Sequence, residues 1–169
     1  MADEKQGAAV DAIKVNSTDW PWWRGPQRNG IANPNQSPPL KWSTTENILW
    51  KSPIPGRGYG SPTVVGNRIY LASADTDKET QFVLCYDRTT GKQLWKTVIH
   101  TGGFSTKGNK KSTHASSTVA CDGERLFINF INDGAASTTA LSLAGKQLWQ
   151  TKITDYIIHQ GYGSSPELY

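Results

Sequence analysis

The feature that most restricts what this 169-residue chain can fold into is an internal copy of itself. Gly91-Lys92-Gln93-Leu94-Trp95 recurs letter for letter as Gly145-Lys146-Gln147-Leu148-Trp149, at an offset of 54. Upstream, Ser61-Pro62-Thr63-Val64-Val65 answers to Ser116-Ser117-Thr118-Val119-Ala120 at 55, and Arg68-Ile69-Tyr70-Leu71 to Arg125-Leu126-Phe127-Ile128 at 57. Cys85-Tyr86-Asp87 matches Ala140-Leu141-Ser142 at 55 again. Offsets that drift by a few residues and return are what turn insertions leave behind when strands keep their register. A copy at this period marks a supersecondary unit that buries its apolar face by stacking on its like.

Each copy reads as four short strands separated by turn signals. In the first they span 62–65, 68–73, 81–87 and 93–98, with turns at Gly66-Asn67, at 75–80 and at 88–91. In the second they span 117–121, 125–131, 138–143 and 147–153, with turns at Asp122-Gly123, at 132–137 and at Ala144-Gly145. Seven Trp, six Tyr, 16 Gly and nine Pro against one Met suit strands and tight turns, and no unit shows the 3.6-residue apolar spacing a helical solenoid needs. An immunoglobulin-like sandwich would not repeat its own sequence. The expected fold is all-β: a β-propeller of four-stranded antiparallel blades, of which this chain holds about two and the first strand of a third.

The third copy opens at Gly161-Tyr162-Gly163-Ser164-Ser165-Pro166, echoing Gly58-Tyr59-Gly60-Ser61-Pro62. Ile48-Leu49-Trp50-Lys51 reads as the last strand of a blade whose first three strands do not precede it, so the ring is expected to close outside this chain. The divisions that follow are a disordered 1–18, a lead-in and closing outer strand over 19–57, and a first blade over 58–100. An inter-blade loop over 101–112, a second blade over 113–153 and the start of a third over 154–169 complete them.

Several function classes find no support. The net charge of +4 comes largely from Lys107, Lys110 and Lys111 in one Gly/Ser/Thr/Asn-rich stretch, which reads as a solvated loop and not as a nucleic-acid footprint. No run of apolar residues is long enough to span a membrane, and residues 1–19 lack the basic and apolar parts of a signal peptide. Cys85 and Cys121 lie outside any metal-ligand spacing and fall in or beside apolar runs, where a thiol acts as a small buried hydrophobe. Asp75-x-Asp77-x-Glu79 lacks the glycine and distant glutamate of a calcium loop and reads as a hairpin tip. Ser116-Ser117 and Ser164-Ser165 repeat at inner-strand starts, where small residues relieve crowding, and no GxSxG, P-loop or GxGxxG occurs.

The pattern Gly-Ser-Pro, apolar strand, Gly-Asn-Arg-Ile-Tyr, then apolar-Asp-x-x-Thr-Gly-Lys-x-Leu-Trp resembles the repeat of pyrroloquinoline-quinone-like propellers, which includes quinoprotein-dehydrogenase-like and outer-membrane-assembly-lipoprotein-like members. The likeness runs over about 19–169 and is sharpest over 87–95. It implies that Gly91 and Gly145 make the tight turn into an outer strand, and that Trp50, Trp95 and Trp149 dock between neighbouring blades. Asp19-Trp20-Pro21-Trp22-Trp23-Arg24-Gly25-Pro26 also resembles the opening of secreted bacterial members of a planctomycete-type group, which implies a periplasmic or secreted protein.

Quinone-dependent members hold their cofactor beside a vicinal disulfide with Glu, Asn and Asp around calcium, and that constellation is not assembled here. No cofactor and no catalytic or metal site is therefore expected in this chain. Quinone-dependent oxidation with ligands downstream, or a sensor module of a bacterial kinase-type protein, are the rival readings. The expected function is a non-catalytic scaffold outside the cytoplasm. Its candidate contacts are Arg57, Tyr59, His100, His114, His159 and Tyr162, all placed by the repeat in connections between an outer strand and the next inner strand. Such connections gather at a channel mouth, and loops on a rigid scaffold are where recognition concentrates. The expected partner is a protein or small ligand held there, with neither nucleic acid nor a membrane span involved.

Overall fold

The computed structural model describes residues 11–106, 108–109, 111–159 and 161–168. Two four-stranded antiparallel sheets form in sequence order. The first comprises β1 (Thr63–Val65), β2 (Arg68–Asp75), β3 (Thr80–Asp87) and β4 (Gln93–Thr101); the second comprises β5 (Ala120–Cys121), β6 (Arg125–Asn132), β7 (Ala135–Ser142) and β8 (Gln147–Asp155). The chain is all-β, and the sheets are propeller blades. The repeat extends to irregularities: bulges fall at Gln81/Phe82 and Cys85/Tyr86 in one blade and at Ala136/Ser137 and Ala140/Leu141 in the other, each 55 residues on. A bulge aims and twists the outer strand, so both outer strands leave their blades with the same bend.

Alternation at period two explains how one strand serves two cores. In β3, Val83 and Cys85 face the second blade, while Phe82, Leu84 and Tyr86 fill a separate cluster with Ile69, Leu71 and Val98. The inter-blade core joins Val65, Tyr70, Val83 and Cys85 to Val119, Cys121, Leu126, Ile128, Phe130 and Leu141. Each large side chain buried there contributes about 2 kcal/mol relative to exposure. Cys85 and Cys121 are unbridged and fully buried within it. Burial pushes their thiols up, to about 12 and about 11.

Some boundaries differ from the sequence reading. The turn expected over 132–137 is only Asp133-Gly134, with φ of 47° and 70°, between Asn132 and Ala135. Positive φ at both central residues matches the twist of a two-residue hairpin, and Asp-Gly is suited to it; Ala135, Ala136 and Ser137 continue the strand despite their low strand propensity. The second inner strand is two residues long where 117–121 was expected. Neither Ile48-Leu49-Trp50 nor 161–166 is a strand, because no described segment ladders against them.

The disorder expected over 1–18 does not hold for residues 11–18, and residues 1–10 lie outside the described residues. Ile13 donates its N–H to the Gly123 carbonyl at 2.6 Å, and Ile13 and Val15 pack on the inter-blade core. Beyond them the lead-in runs along the free edges of both inner strands. Trp20 exchanges two backbone bonds with Val64, at 2.7 and 2.9 Å, and the Pro21 carbonyl accepts from Cys121 N–H at 2.8 Å. Buried Asp19 accepts from Gly66 N–H and Asn16 N–H. These contacts all lie at the end where the inner strands turn, opposite the end where they begin.

Candidate functional site

Three stretches correspond in the repeat, 58–61 and 113–116 ahead of the inner strands β1 and β5, and 161–164 after β8. The repeat therefore sets Tyr59, His114 and Tyr162 at one level. Arg57 is held by backbone pairing with Ala74, at 2.8 and 3.0 Å. Its guanidinium lies over the Tyr59 ring at 5.9 Å and donates to Tyr59 Oη at 2.9 Å. His114 stacks on Phe104 with centroids 4.0 Å apart. Burial holds its imidazole below the ordinary range against the opposing pull of Glu79. Tyr162 meets Tyr156 edge-on at 5.4 Å. Burial raises its phenol, with hydrogen bonding to Asn129 and Ser164 working the other way.

Arg57, His114 and Tyr162 line one cavity of about 270 Å³ together with Thr113, Ser116, Ser117 and Asn129, over a floor of Phe130, Ile131 and Ile158. Across Ser112, Ser116, Gly161 and Tyr162 the cavity continues into a shallow hollow that reaches Lys111. None of the described residues lining either part is acidic. Among the described residues the wall offers hydroxyls, amides, the Arg57 guanidinium and the Lys111 ammonium, which can hold and orient a ligand. It assembles no carboxylate pair, and among the described residues no group of three His, Cys, Asp or Glu is placed to hold a metal.

The other candidates stand elsewhere. Tyr59 is 59% exposed and backs Arg57 without lining the cavity. His159 is exposed in the segment after β8 and lines no part of it. His100 does not lie in a connection: β4 runs to Thr101 because Thr80 pairs with Thr101, and this carries His100 into the outer strand. There it bridges the blades. Gln81 donates through Nε2 to the His114 and Ile131 carbonyls, at 2.7 and 3.0 Å, so its Oε1 must accept. His100 Nδ1 therefore carries the hydrogen, at 2.8 Å, and its Nε2 accepts from Gln150 Nε2 at 3.0 Å. Lys107 and Lys110 of the basic loop lie outside the described residues.

Sequence reasoning missed Gln81 and Asn129. Each is a polar residue inside an apolar strand, 0% and 8% exposed. Buried amides of this kind are kept only where partners await them, and that was the available signal. Asn129 Oδ1 receives the Thr138 hydroxyl at 2.8 Å, which fixes the amide beside Tyr162.

The first blade is latched to its neighbours on both sides at the end away from the mouth. Trp50 donates its indole N–H to the Arg88 carbonyl at 2.9 Å, and Ser52 donates its hydroxyl to the Gly91 carbonyl. One blade on, Trp95 donates to the Leu143 carbonyl at 3.1 Å and Thr97 to the Gly145 carbonyl at 2.6 Å. The unit is Trp-x-Ser/Thr on the glycine turn of the following blade. Both glycines sit at positive φ, 70° and 85°, and a Cβ there would lie 2.5 Å from the Trp50 ring or 2.8 Å from the Trp95 ring. The third copy, Trp149-Gln150-Thr151, lies on β8, every residue of which is exposed, with Trp149 at 42%.

The sequence profile of the family described as outer membrane protein assembly factor BamB matches residues 40–156. Comparison with curated proteins finds no match.

Proposed function

Because the chain belongs to the BamB family of PQQ-repeat propellers, whose profile covers more than half of it, we propose that it is a non-catalytic scaffold that holds a protein partner at the mouth of its inner strands, outside the cytoplasm. The observation that carries this is the make-up of the cavity at that mouth. Arg57, His114 and Tyr162 converge there among hydroxyls and amides, with no carboxylate among the described lining residues. A site for hydride or proton abstraction from an alcohol needs a base within hydrogen-bond reach of the substrate, and His114 is instead stacked on Phe104. The opposite end of the inner strands is occupied by the lead-in through Trp20 and Pro21, which leaves this end as the approach. No described helix is long and apolar enough to cross a membrane.

The test uses the full chain with a photo-crosslinking residue at position 59, compared with one at Thr89 on the outer turn. A partner captured at 59 and not at 89 is the expected result. Saturable uptake of pyrroloquinoline quinone with calcium, followed by absorbance, would overturn the reading in favour of an oxidoreductase.

A further inference from the structure

The mouth cleft is sorted by charge. The cavity is lined by Arg57 and the hollow that continues it by Lys111, while the residues common to both are neutral, chiefly Ser112, Ser116 and Tyr162. The chain has 14 acidic residues, yet none of the described lining residues is one of them. A cation in each part of a cleft without lining carboxylates among its described residues raises a positive potential there and draws anions in.

The kind of anion follows from the remaining wall. A guanidinium presents a planar fork that matches a carboxylate at two points, and Tyr59 takes one of its five donors while holding its orientation. Phe130, Ile131 and Ile158 form an apolar floor beside the Asn129 amide. That combination suits the methylenes and peptide groups of a polypeptide better than sugar-phosphate, which is held by several cations along its length and by stacked bases. The cleft also runs on from the cavity of about 270 Å³ into an open hollow, so a ligand occupying both is longer than one small acid.

We propose, building on the reading of this mouth as the binding face, that the cleft takes an acidic peptide segment of a protein partner, with one carboxylate on Arg57 and another towards Lys111. The test is fluorescence anisotropy of the full chain at low salt with a labelled (Glu-Ser)₅ peptide. Its (Gln-Ser)₅ counterpart, glutarate and a ten-residue oligothymidylate serve as competitors. The Glu peptide binds saturably and the Gln peptide does not displace it. Arg57→Gln and Lys111→Gln each weaken binding roughly tenfold, as expected for loss of one charge-assisted contact. Lys78→Gln, at the exposed tip of the β2–β3 hairpin, leaves it unchanged.

Equal loss in Lys78→Gln, or tighter binding of the oligothymidylate, would overturn the proposal as a general charge effect. Displacement by glutarate at peptide-like concentration would overturn the peptide source and assign the site to a small dicarboxylate. If crosslinking at position 59 captures a partner while the Glu peptide fails to bind, the acidic chemistry alone is wrong. If neither experiment succeeds, the mouth is not the binding face.

Discussion

Replacing Gly145 by alanine separates the cost of a turn from the cost of breaking a blade-to-blade latch. Gly145 has φ 85°, and a Cβ built there meets the Trp95 ring at 2.8 Å and Thr97 Oγ1 at 2.8 Å. Gly134, in the Asp133-Gly134 turn, has φ 70° and nothing within 4 Å of its Cβ. Gly134→Ala therefore carries only the left-handed backbone strain, about 1 kcal/mol. Gly145→Ala carries the same strain plus overpacking of about 1–3 kcal/mol as the indole is pushed from its seat, and it weakens the Trp95 bond to Leu143, worth about 1 kcal/mol. The expected difference between the two variants is about 2–4 kcal/mol in urea unfolding, read from the midpoint at constant slope. In a Trp95→Ala background the Gly145→Ala cost should fall towards that of Gly134→Ala, with only the contact on Thr97 Oγ1 left of the clash. Equal costs for the two glycines, or an unchanged Gly145→Ala cost without Trp95, would refute the latch.

Three further outcomes follow from buried groups. Burial holds His100 below its ordinary range, so the unfolded chain binds a proton more readily than the folded one. Stability is then intact above about pH 6.5 and falls as pH drops below that value, and His100→Gln should flatten this part of a melting-temperature profile. Cys85 and Cys121, raised to about 12 and about 11 inside the inter-blade core, should resist an aromatic disulfide reagent at pH 8 and react at once in denaturant. The Tyr70 hydroxyl is buried without a hydrogen-bond partner, so Tyr70→Phe should hold or raise stability by up to about 1 kcal/mol, measured by the same urea titration.

The architecture was legible because a repeat constrains local pattern, and local pattern is what a sequence displays. The recurrence of Gly-Lys-Gln-Leu-Trp placed both outer strands, and even the bulges obey the same offset. What stayed hidden depends on partners remote in sequence. Gln81 bonds residues 33 and 50 positions away, so its role in joining His100 to the His114 backbone has no local mark beyond its polarity. His100 was assigned to a connection because its strand was ended at Val98. Only the pairing partners supplied by β3 carry that strand on to Thr101. The lead-in was recognised as a motif, but its place along the inner strands rests on Val64 and Cys121, 44 and 100 residues beyond the Trp20 and Pro21 they bond. At the mouth, Arg57, His114 and Tyr162 were legible as loop residues in register. Asn129 reached the same cavity from a strand.

The claim on which the blade-to-blade latch depends is that Trp50 and Trp95 are each seated on the glycine turn of the blade that follows them. Hydrogen exchange of the indole N–H groups, followed by nitrogen-15 NMR on the full chain, tests it directly. Trp50 and Trp95, each bonded to a turn carbonyl, should exchange slowly, and Trp149, 42% exposed on the outer strand of the second blade, should exchange fast. Comparable fast exchange at all three would contradict the latched blades.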